Sequence, residues 1–368
     1  MKTWQKYKSD PEYRRRIEQR AKIVETIRGF FALQGFVEID APLLVAAPGM
    51  EPNLTQFKTI LTSPYPLLSQ ERAKQRDAYL ITSPEYACKK MLAAGVPKLF
   101  SIGKVFRNEE PWGGTHNPEF TMIEWYRAGA DYRSLMDDTE NLVRACASAI
   151  GLNTKHEARS TKQGFEIQNS NFDIVSDFGF RISDLFEPWK RVSVKDAFAQ
   201  IGINLDECLT RDTMAEAAQK KGYAVSSTDT FDDCFFKIFL TEIEPKLGAE
   251  KPTILYDYPV QMASLSRPKP EDPRYAERFE AYVGGLELCN AFSELIDVDE
   301  QRRRLEEEQR FRVSIGKEKL PIDEDFLVAL KQMPPAAGNA LGVDRLVMLL
   351  TGAKSIEDVI LFPASDLF

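Results

Sequence analysis

Two stretches, FRNEE at residues 106–110 and HNPEFTMIEWY at residues 116–126, decide the fold of this chain. A short glycine-bearing segment, PWGGT at residues 111–115, separates them. Around it, from Leu99 to Tyr126, apolar and polar residues follow a period of two, which predicts a long β-hairpin. Side chains alternate between the two faces of a strand, so one face of the hairpin carries a defined set of residues. That set is Val105, Arg107, Glu109, Phe120, Met122, Glu124 and Tyr126.

This hairpin face is a poor candidate for a protein core, because burying unpaired charge is costly. It fits the wall of a polar cleft, where Arg107 would neutralise a phosphate or carboxylate and Phe120 would stack on a purine. A neighbouring carboxylate would accept a hydrogen bond from an exocyclic amine. Alternation alone slightly favours a second interpretation, in which the face meets solvent and its charges form ordinary cross-strand pairs.

The remaining pattern alternates helices with hairpin-connected strands. Asp10-Pro11 is typical of a helix start and Gly35 of a helix end, and apolar residues recur between them every three or four positions. Helices are also predicted at 83–95, 133–150 and 298–317, the last of them charged and solvated, and strands at 36–39, 253–258, 276–283, 286–296 and 359–362. Strands joined in hairpins predict an α+β fold with an antiparallel β-sheet flanked by helices.

The composition is that of a globular protein, with 43% hydrophobic residues, 28% charged residues and a net charge of −8. No apolar run approaches the length of a membrane span, and the polar, basic N-terminus is not a secretory signal. Five scattered cysteines without a C-x-x-C pair argue against a disulfide framework or a zinc site, and predict a cytoplasmic protein. The presence of only two histidines argues against a His-rich metal site. The sequence contains neither of the glycine-rich nucleotide-binding patterns G-x-x-x-x-G-K-[ST] and G-x-G-x-x-G.

The two hairpin stretches together resemble motif 2 of the class II aminoacyl-tRNA synthetases, in its lysyl version. The first long helix, followed by GFVEIDAPLL at residues 35–44, resembles motif 1, with Pro42 at its signature proline. GNALGVDRL at residues 338–346 resembles motif 3, with Arg345 at its signature arginine. All three motifs in this order imply an ATP-dependent enzyme of this superfamily over nearly the whole chain.

The resemblance implies roles for residues of motifs 2 and 3. Arg107 and Arg345 would be the catalytic residues, because Arg107 would hold the α-phosphate and the amino-acid carboxylate while charge builds up there. Arg345 would cover the adenine ring and reach the γ-phosphate. Glu109 would contact the adenine amine, and Phe120 would stack on the ring. Further ATP contacts are expected at His116, Asn117 and Gly342.

Glu280 and Glu287 match carboxylates that hold Mg²⁺ between the phosphates, as suits a hard ion that prefers oxygen ligands. ATP and Mg²⁺ are therefore the expected cofactors. Glu287 also raises a geometric question, because it lies an odd number of residues before Glu294 and a regular strand would point the two in opposite directions. A β-bulge or a strong twist is needed to bring both to one pocket.

Three carboxylates form the expected lysine signature. Glu85, Glu124 and Glu294 match positions that receive an ammonium group, with Tyr126 beside them and Asn290 near the amino acid. An ammonium donates three hydrogen bonds and prefers negative partners. Each carboxylate has another interpretation: a helix first turn for Glu85, a strand surface for Glu124, and an ion pair with an arginine for Glu294.

Four stretches most resemble the elongation factor P lysyltransferases, relatives of the lysyl-tRNA synthetases: TSPEYACKKML, HNPEFTMIEWYR, AERFEAYVGGLELCNAFSEL and ALGVDRLVML. About ten residues precede the first helix, too few for an anticodon-binding domain. The resemblance thus implies a single catalytic domain at residues 1–368, with an insertion at 153–190. The expected partners are elongation factor P, lysine or (R)-β-lysine, and a second copy of the chain bound through the motif 1 helix. Neither tRNA nor a membrane is expected.

Two departures bear on the substrate. Cys289 and Ala291 stand where lysyl-tRNA synthetases usually have glycines, and the extra atoms would disfavour α-lysine unless neither side chain points into the pocket. The PWGGT loop lacks an arginine that often precedes the His-Asn-Pro sequence, so one phosphate contact is missing or supplied elsewhere. Three other functions stay open: charging tRNA or another acceptor with a lysine-like amino acid, non-catalytic binding, and amide formation of the asparagine synthetase type.

Overall fold

A computed structural model describes residues 2–51, 53–62, 75–152 and 179–368. Its strands are β1 (Val37–Glu38), β2 (Leu44–Val45), β3 (Lys58–Thr62), β4 (Gln75–Leu80), β5 (Lys98–Phe106), β6 (Glu119–Ala128), β7 (Lys190–Ser193), β8 (Thr253–Pro259), β9 (Tyr275–Val283), β10 (Leu286–Ser293) and β11 (Ala336–Gly342). Its α-helices are α1 (Thr3–Ser9), α2 (Pro11–Leu33), α3 (Glu85–Ala93), α4 (Tyr132–Ala149), α5 (Val194–Gln200), α6 (Arg211–Lys220), α7 (Phe231–Ile238), α8 (Val298–Ser314), α9 (Glu324–Leu330), α10 (Val343–Thr351) and α11 (Ala364–Leu367).

One large sheet organises the domain. Its strands follow the order β1-β5-β6-β11-β10-β9-β8-β7, and β2, β4 and β3 form a smaller sheet. The six central strands of the large sheet are antiparallel to one another. The edge strands β1 and β7 instead pair in parallel with β5 and β8. The predicted α+β fold is confirmed, with the addition of two parallel edges.

Helix α2 begins and ends as its sequence predicts. Asp10 accepts hydrogen bonds from backbone N–H groups of the first turn, and Gly35 follows the last turn at a φ of +77°, which glycine adopts without strain. The side chains of Ile23, Ile27 and Phe31 are completely buried. The apolar stripe of α2 therefore packs inside this chain, on the large sheet.

The two faces of the large sheet have different surroundings. One face, which includes Ile123, Trp125 and Leu341, lies in the main hydrophobic core with residues of α2, α4 and α10. Residues that alternate with these, such as Glu124 and Ala340, pair with each other across β6 and β11 and point to the opposite face. That second face is the one on which the cleft described below is built.

Two predicted elements need correction. The charged segment 298–317 is helical as α8, but it is not wholly solvated, because Leu305 and Arg312 are buried. The predicted strand at 359–362 is wrong: a 3₁₀ turn, Ile356–Asp358, precedes it, and Val359 is buried in the main core without strand pairing.

The predicted insertion at 153–190 is only partly described. Residues 153–178 lie outside the described part of the chain. Phe180, Leu185 and Trp189 are buried in the main core, so residues 179–190 belong to the body of the domain. Within the described ranges, no helix combines the length and the apolar character that crossing a membrane requires.

Candidate active site

A cleft of about 540 Å³ opens on the polar face of the large sheet. Most of the predicted site residues line it: Glu85, Arg107, His116, Asn117, Phe120, Glu124, Tyr126, Glu280, Glu287, Cys289, Asn290, Gly342 and Arg345. They come from β6, β9, β10 and β11 and from α3, α10 and the loop of the first hairpin. The sheet thus gathers residues that lie far apart in the sequence onto one surface.

Arg107 follows directly on β5 and faces Phe120 on the return strand. Its guanidinium carbon lies 5.2 Å from the centre of the Phe120 ring. Its Nε is buried and has no hydrogen-bond partner among the described residues. The arginine is therefore held in place by stacking while part of its hydrogen-bonding capacity stays available for an anion.

Arg345 lies in the first turn of α10, across the cleft. One terminal nitrogen donates to the carbonyl oxygen of Glu287 at 3.0 Å, and the other lies 3.2 Å from Nε2 of His116. Burial, followed by the positive charge of Arg345, lowers the pKa of His116. A neutral His116 can accept a hydrogen bond from Arg345, which fixes the direction of its guanidinium.

Glu280 and Glu287 lie together between these arginines. Glu280 accepts hydrogen bonds from the hydroxyls of Tyr258 and Tyr282, each at 2.6 Å, and pairs with Arg278 at 2.6 Å. The Glu287 side chain keeps 39% of its surface exposed to the cleft, yet the surrounding protein and then Glu280 raise its pKa. A divalent cation held by both carboxylates would relieve this repulsion, so the pair fits Mg²⁺. Within the described ranges, no cluster of three or more metal-binding side chains is present.

A β-bulge in β10 explains how Glu287 reaches this face. Glu287 pairs with Tyr282 and Asn290 with Glu280, and the register shifts between Glu287 and Cys289. The extra residue changes the alternation, which places Glu287 and Asn290 on the same side of the sheet. Asn290 and Glu294 are an even number of residues apart, so the Glu294 side chain points to the same face of the sheet as that of Asn290. The bulge required by the sequence argument is present.

The opposite end of the cleft is acidic and buried. Glu124 is 2% exposed and accepts hydrogen bonds from Ser83 at 2.5 Å and from Tyr126 at 2.6 Å. Burial, and then the charge of Glu85, raises the pKa of Glu124 to about 8. Each oxygen of this carboxylate accepts one hydrogen bond, but the carboxylate lacks a cationic partner at hydrogen-bonding distance within the described residues.

Glu85 and Glu294 do have such a partner, Lys89. The Lys89 Nζ lies 2.5 Å from an oxygen of each carboxylate. Glu294 lies just behind Gly338, where a Cβ would collide with both Glu294 and Tyr126. Only glycine at position 338 therefore leaves room for Glu294 to reach this end of the cleft. We call Glu85, Glu124, Glu294 and Lys89 the acidic end.

The geometry can be compared with known proteins. Residues 2–366 match the family of class II tRNA synthetases (D, K and N). The chain belongs to this family. It is 37% identical over 346 residues to a protein of Proteus mirabilis named elongation factor P–(R)-β-lysine ligase, covering 94% of each chain. Proteins with the same name from Hamiltonella defensa and Yersinia pestis are each 36% identical, again with 94% of each chain covered.

As a class II synthetase family member, the chain is a ligase, and the AMP-forming step follows from the family. The structure gives a role to Asp344, which lies next to the motif 3 arginine. Asp344 is 2% exposed, pairs with Arg20 of α2 and accepts from the backbone N–H of Thr121 at 2.6 Å. Asp344 thus ties motifs 1, 2 and 3 together, beneath the arginine that faces the cleft.

Two nucleotide contacts expected from the family resemblance do not match the structure. Glu109 is exposed, has a φ of +62° and accepts a hydrogen bond from Thr55 at 2.6 Å, so it does not border the cleft. The left-handed backbone turns it outward, and Glu110 lines the cleft instead, 3.7 Å from His116. Asn117 does border the cleft, but its amide group is engaged elsewhere in the fold. It donates to a carbonyl of the hairpin at 2.6 Å and accepts from the start of α11 at 2.9 Å.

The expectation for Cys289 and Ala291 also needs correction. Both residues lie in the main hydrophobic core, paired in register with Leu341 and Asn339 on the face that packs against α4. Cys289 borders the cleft, but its thiol is hydrogen-bonded towards Asn339 and Thr139. The side chains therefore point away from the cleft, which is the alternative that the sequence left open.

Sequence reasoning missed several residues that shape the site. Arg278 donates to Asn290 at 3.0 Å as well as to Glu280, and its guanidinium lies 4.5 Å from the centre of the Tyr258 ring. Lys89 was missed because a lysine four residues after a glutamate is typical of an exposed helical ion pair. The other missed residues are Ser83, Tyr282 and Glu110.

Proposed function

We propose that the chain activates lysine or (R)-β-lysine with ATP as an aminoacyl adenylate and transfers it to a lysine side chain of elongation factor P. One observation carries the proposal: a single cleft presents arginines at one end and an excess of buried carboxylates at the other. The first end suits phosphates, and the second suits the ammonium groups of a basic amino acid. The names of the relatives support the acceptor.

Activation needs positioning and charge neutralisation rather than a general base. A carboxylate oxygen of the amino acid attacks the α-phosphorus, the bond to pyrophosphate breaks, and the adenylate forms. Arg107 would neutralise the charge that builds on the α-phosphate, with Phe120 against the adenine ring. Arg345, oriented by His116, would hold the departing pyrophosphate. Glu280 and Glu287 would hold Mg²⁺, which supplies charge neutralisation to the phosphates when bound.

Transfer then requires access for the acceptor amine. A second cavity of about 410 Å³ shares Glu85, Arg278 and Asn290 with the cleft. Its wall includes Phe236, which is 37% exposed, and Glu308, whose pKa is raised to about 8 by burial, then by Glu51 and Glu85. We infer that the acceptor lysine approaches through this cavity, since its apolar stem and cationic tip match such a wall. Its neutral amine attacks the adenylate carbonyl, an amide forms, and AMP leaves with the proton released to solvent.

We infer that residues 1–368 act as one catalytic domain and that two copies associate, in the cytoplasm where elongation factor P works. The apolar stripe of α2 is buried within the chain, so it is not available to a partner copy. Exposed apolar residues lie on the small strands instead: Val37, Leu44, Ile60 and Leu61. A homodimer would cover them. Sedimentation equilibrium tests this, and a monomer at micromolar concentration would refute it.

The decisive test of the activity is ATP–pyrophosphate exchange. The panel contains α-lysine, (R)-β-lysine, (S)-β-lysine and other basic or short amino acids, with the wild type beside Arg107→Ala. Exchange that is strongest with a lysine isomer and lost in the variant supports adenylate formation. No exchange above the variant's background with any amino acid of the panel would refute it.

A second assay tests the acceptor. The labelled amino acid is offered with ATP to elongation factor P, to elongation factor P whose acceptor lysine is replaced by arginine, and to tRNA. Label on the first protein alone supports the proposal. Label on tRNA in its place would favour a tRNA-charging enzyme, although adenylate formation would stand.

A further inference from the structure

Lys89 is a buried cation that contacts Glu85, a residue of the cleft lining. Its side chain is 1% exposed, and its Nζ contacts Glu85, one turn earlier on α3, and Glu294, which follows β10. The rings of Phe292 and Phe326 flank the ammonium, with their centres 5.3 and 5.9 Å from Nζ. Rings and carboxylates therefore hold one fixed ammonium next to the pocket that the proposed function assigns to ammonium groups.

The acidic end carries more negative than positive charge. Three carboxylates, Glu85, Glu124 and Glu294, face one ammonium, Lys89, which leaves an excess of two negative charges when all are ionised. Burial raises the pKa of Glu294, and Glu85 and Glu124 raise it further, although Lys89 lowers it. Burial alone would lower the pKa of Lys89, but Glu294 and Glu85 together raise it. The ammonium thus stays charged, and the carboxylates carry the imbalance.

The contacts show where that imbalance could be relieved. Among the described residues, the two oxygens of Glu124 accept hydrogen bonds from neutral hydroxyls, those of Ser83 and Tyr126. Oε1 of Glu294 is buried and has no hydrogen-bond partner among the described residues. An unsatisfied buried oxygen costs free energy until a donor arrives. Two carboxylates therefore still require a cation, and Lys89 alone does not satisfy them.

We propose that Lys89 is a positioning residue that sets the charge of the acidic end, so that the pocket selects an amino acid with two ammonium groups. This inference rests on the proposed function. Lys89 orients Glu85 and Glu294 and removes one negative charge of three. The two that remain match the two ammonium groups of a diamino acid, whereas an amino acid with one ammonium leaves a buried carboxylate unpaired.

The test compares lysine with norleucine, which has the same carbon skeleton but lacks the second ammonium. ATP–pyrophosphate exchange is measured at saturating ATP for the wild type, Lys89→Met, Glu294→Gln and the double variant. Lys90→Met, the next residue on α3, is the control, because Lys90 is 30% exposed and pairs with Asp323 and Asp325 on the far side. Melting temperature reports the structural effect separately.

We expect Lys89→Met to lower kcat/KM for lysine at least about fiftyfold, mainly through KM, since a buried partner is removed. Glu294→Gln should reduce the preference for lysine over norleucine at least about tenfold, because the excess falls from two negative charges to one. The double variant restores an excess of two and should recover both KM and the preference at least about tenfold relative to the single variants.

A purely structural role for Lys89 predicts a different result. The melting temperature would fall in the single variants and recover in the double variant, but the preference for lysine over norleucine would stay at the wild-type value. That result, or an unchanged KM in Lys89→Met, would overturn the proposal. If the wild type shows no exchange with any lysine isomer, the proposed function itself has failed, which this experiment reports before any variant is compared.

Discussion

The two ends of the cleft lie on the same sheet but differ in how their charges are paired. We call the other end, with Arg278, Arg345, Glu280 and Glu287, the phosphate end. There each arginine lies beside a carboxylate: Arg345 beside Glu287, and Arg278 beside Glu280. At the acidic end, Glu85 and Glu294 share the buried ammonium of Lys89, and Glu124 accepts hydrogen bonds from two hydroxyls. Opposite charges in close pairs stabilise each other before a ligand binds, whereas the acidic end holds an imbalance that only a cationic ligand relieves. The charges of the phosphate end are therefore paired before a ligand binds, whereas those of the acidic end are balanced only when a cationic substrate binds.

Removing Arg107, whose Nε has no hydrogen-bond partner among the described residues, should have the largest effect. Arg107→Ala is expected to lower the rate of exchange at least about 10³-fold, because a preorganised cation is lost where negative charge builds up. ATP–pyrophosphate exchange at saturating substrates measures it. Lys104→Ala, on the preceding strand β5, is the control, since Lys104 is 38% exposed and pairs with Glu119 across the hairpin. Similar losses in both variants would mean that the hairpin is disturbed and that Arg107 is not special.

Glu124→Gln tests the other end of the cleft. It keeps the shape and one acceptor oxygen but removes a charge, so KM for lysine should rise about 10- to 100-fold, as expected for a lost charged hydrogen bond. KM for ATP should change less than threefold, because Glu124 lies at the far end of the cleft. Steady-state exchange with each substrate varied in turn separates the two constants. Glu119→Gln, on an exposed position of the same strand, is the matched control. A change in KM for ATP alone would contradict the division of the cleft into two ends.

The affinity for the amino acid should depend on pH through the carboxyl groups of the acidic end. Burial and Glu85 raise the pKa of Glu124 to about 8, so this carboxyl is largely protonated near pH 6.5 in the empty protein. An ammonium ligand favours the ionised form, so binding releases protons, and affinity for lysine should rise with pH between about 6 and 8. The rise is at most about tenfold per pH unit for each carboxyl involved.

The stability of the empty protein should show the opposite trend. A carboxyl whose pKa is raised on folding binds more protons in the folded state, so its contribution to stability is full below the unfolded value and is lost as pH rises through about 8. Thermal unfolding and lysine titration calorimetry at pH 6, 7 and 8 measure both trends. In Glu124→Gln both should flatten. A lysine affinity that is independent of pH in the wild type would show that the ligand does not meet this carboxyl.

The sequence predicted the hairpin wall of the cleft but not every residue on it. Arg107, Phe120 and Glu124 could be placed because strand alternation defines a face and the motif 2 string defines its use. Glu109 could not be distinguished from Glu110, because the choice depends on a left-handed backbone conformation at Glu109. Local strain of this kind leaves no periodic signal in the sequence.

Long-range contacts account for the rest. Glu294 was expected to receive a ligand ammonium or, in the other interpretation, to pair with an arginine, whereas in the structure it pairs with Lys89, about two hundred residues earlier in the chain. The bulge at Glu287 could be required on geometric grounds but not located. The direction of the Cys289 and Ala291 side chains depends on the residue at which β10 resumes its regular alternation. The pairing of β10 with β11 shows which residue that is. Periodicity identifies faces, but pairing register decides which face meets the cleft.

The smallest expected effect concerns Cys289, and it tests that register. The thiol lies among Asn339, Thr139 and core residues, and burial raises its pKa to about 12, so it is a neutral core side chain. Cys289→Ala should change the ratio of kcat/KM for α-lysine and (R)-β-lysine less than about threefold, with a loss of stability of about 1 kcal/mol from the small cavity. Exchange kinetics with both isomers and chemical denaturation measure these quantities. A shift in the isomer ratio of tenfold or more would mean that the side chain at 289 reaches the substrate. In that case the residues next to the bulge in β10 would face the cleft and not the core.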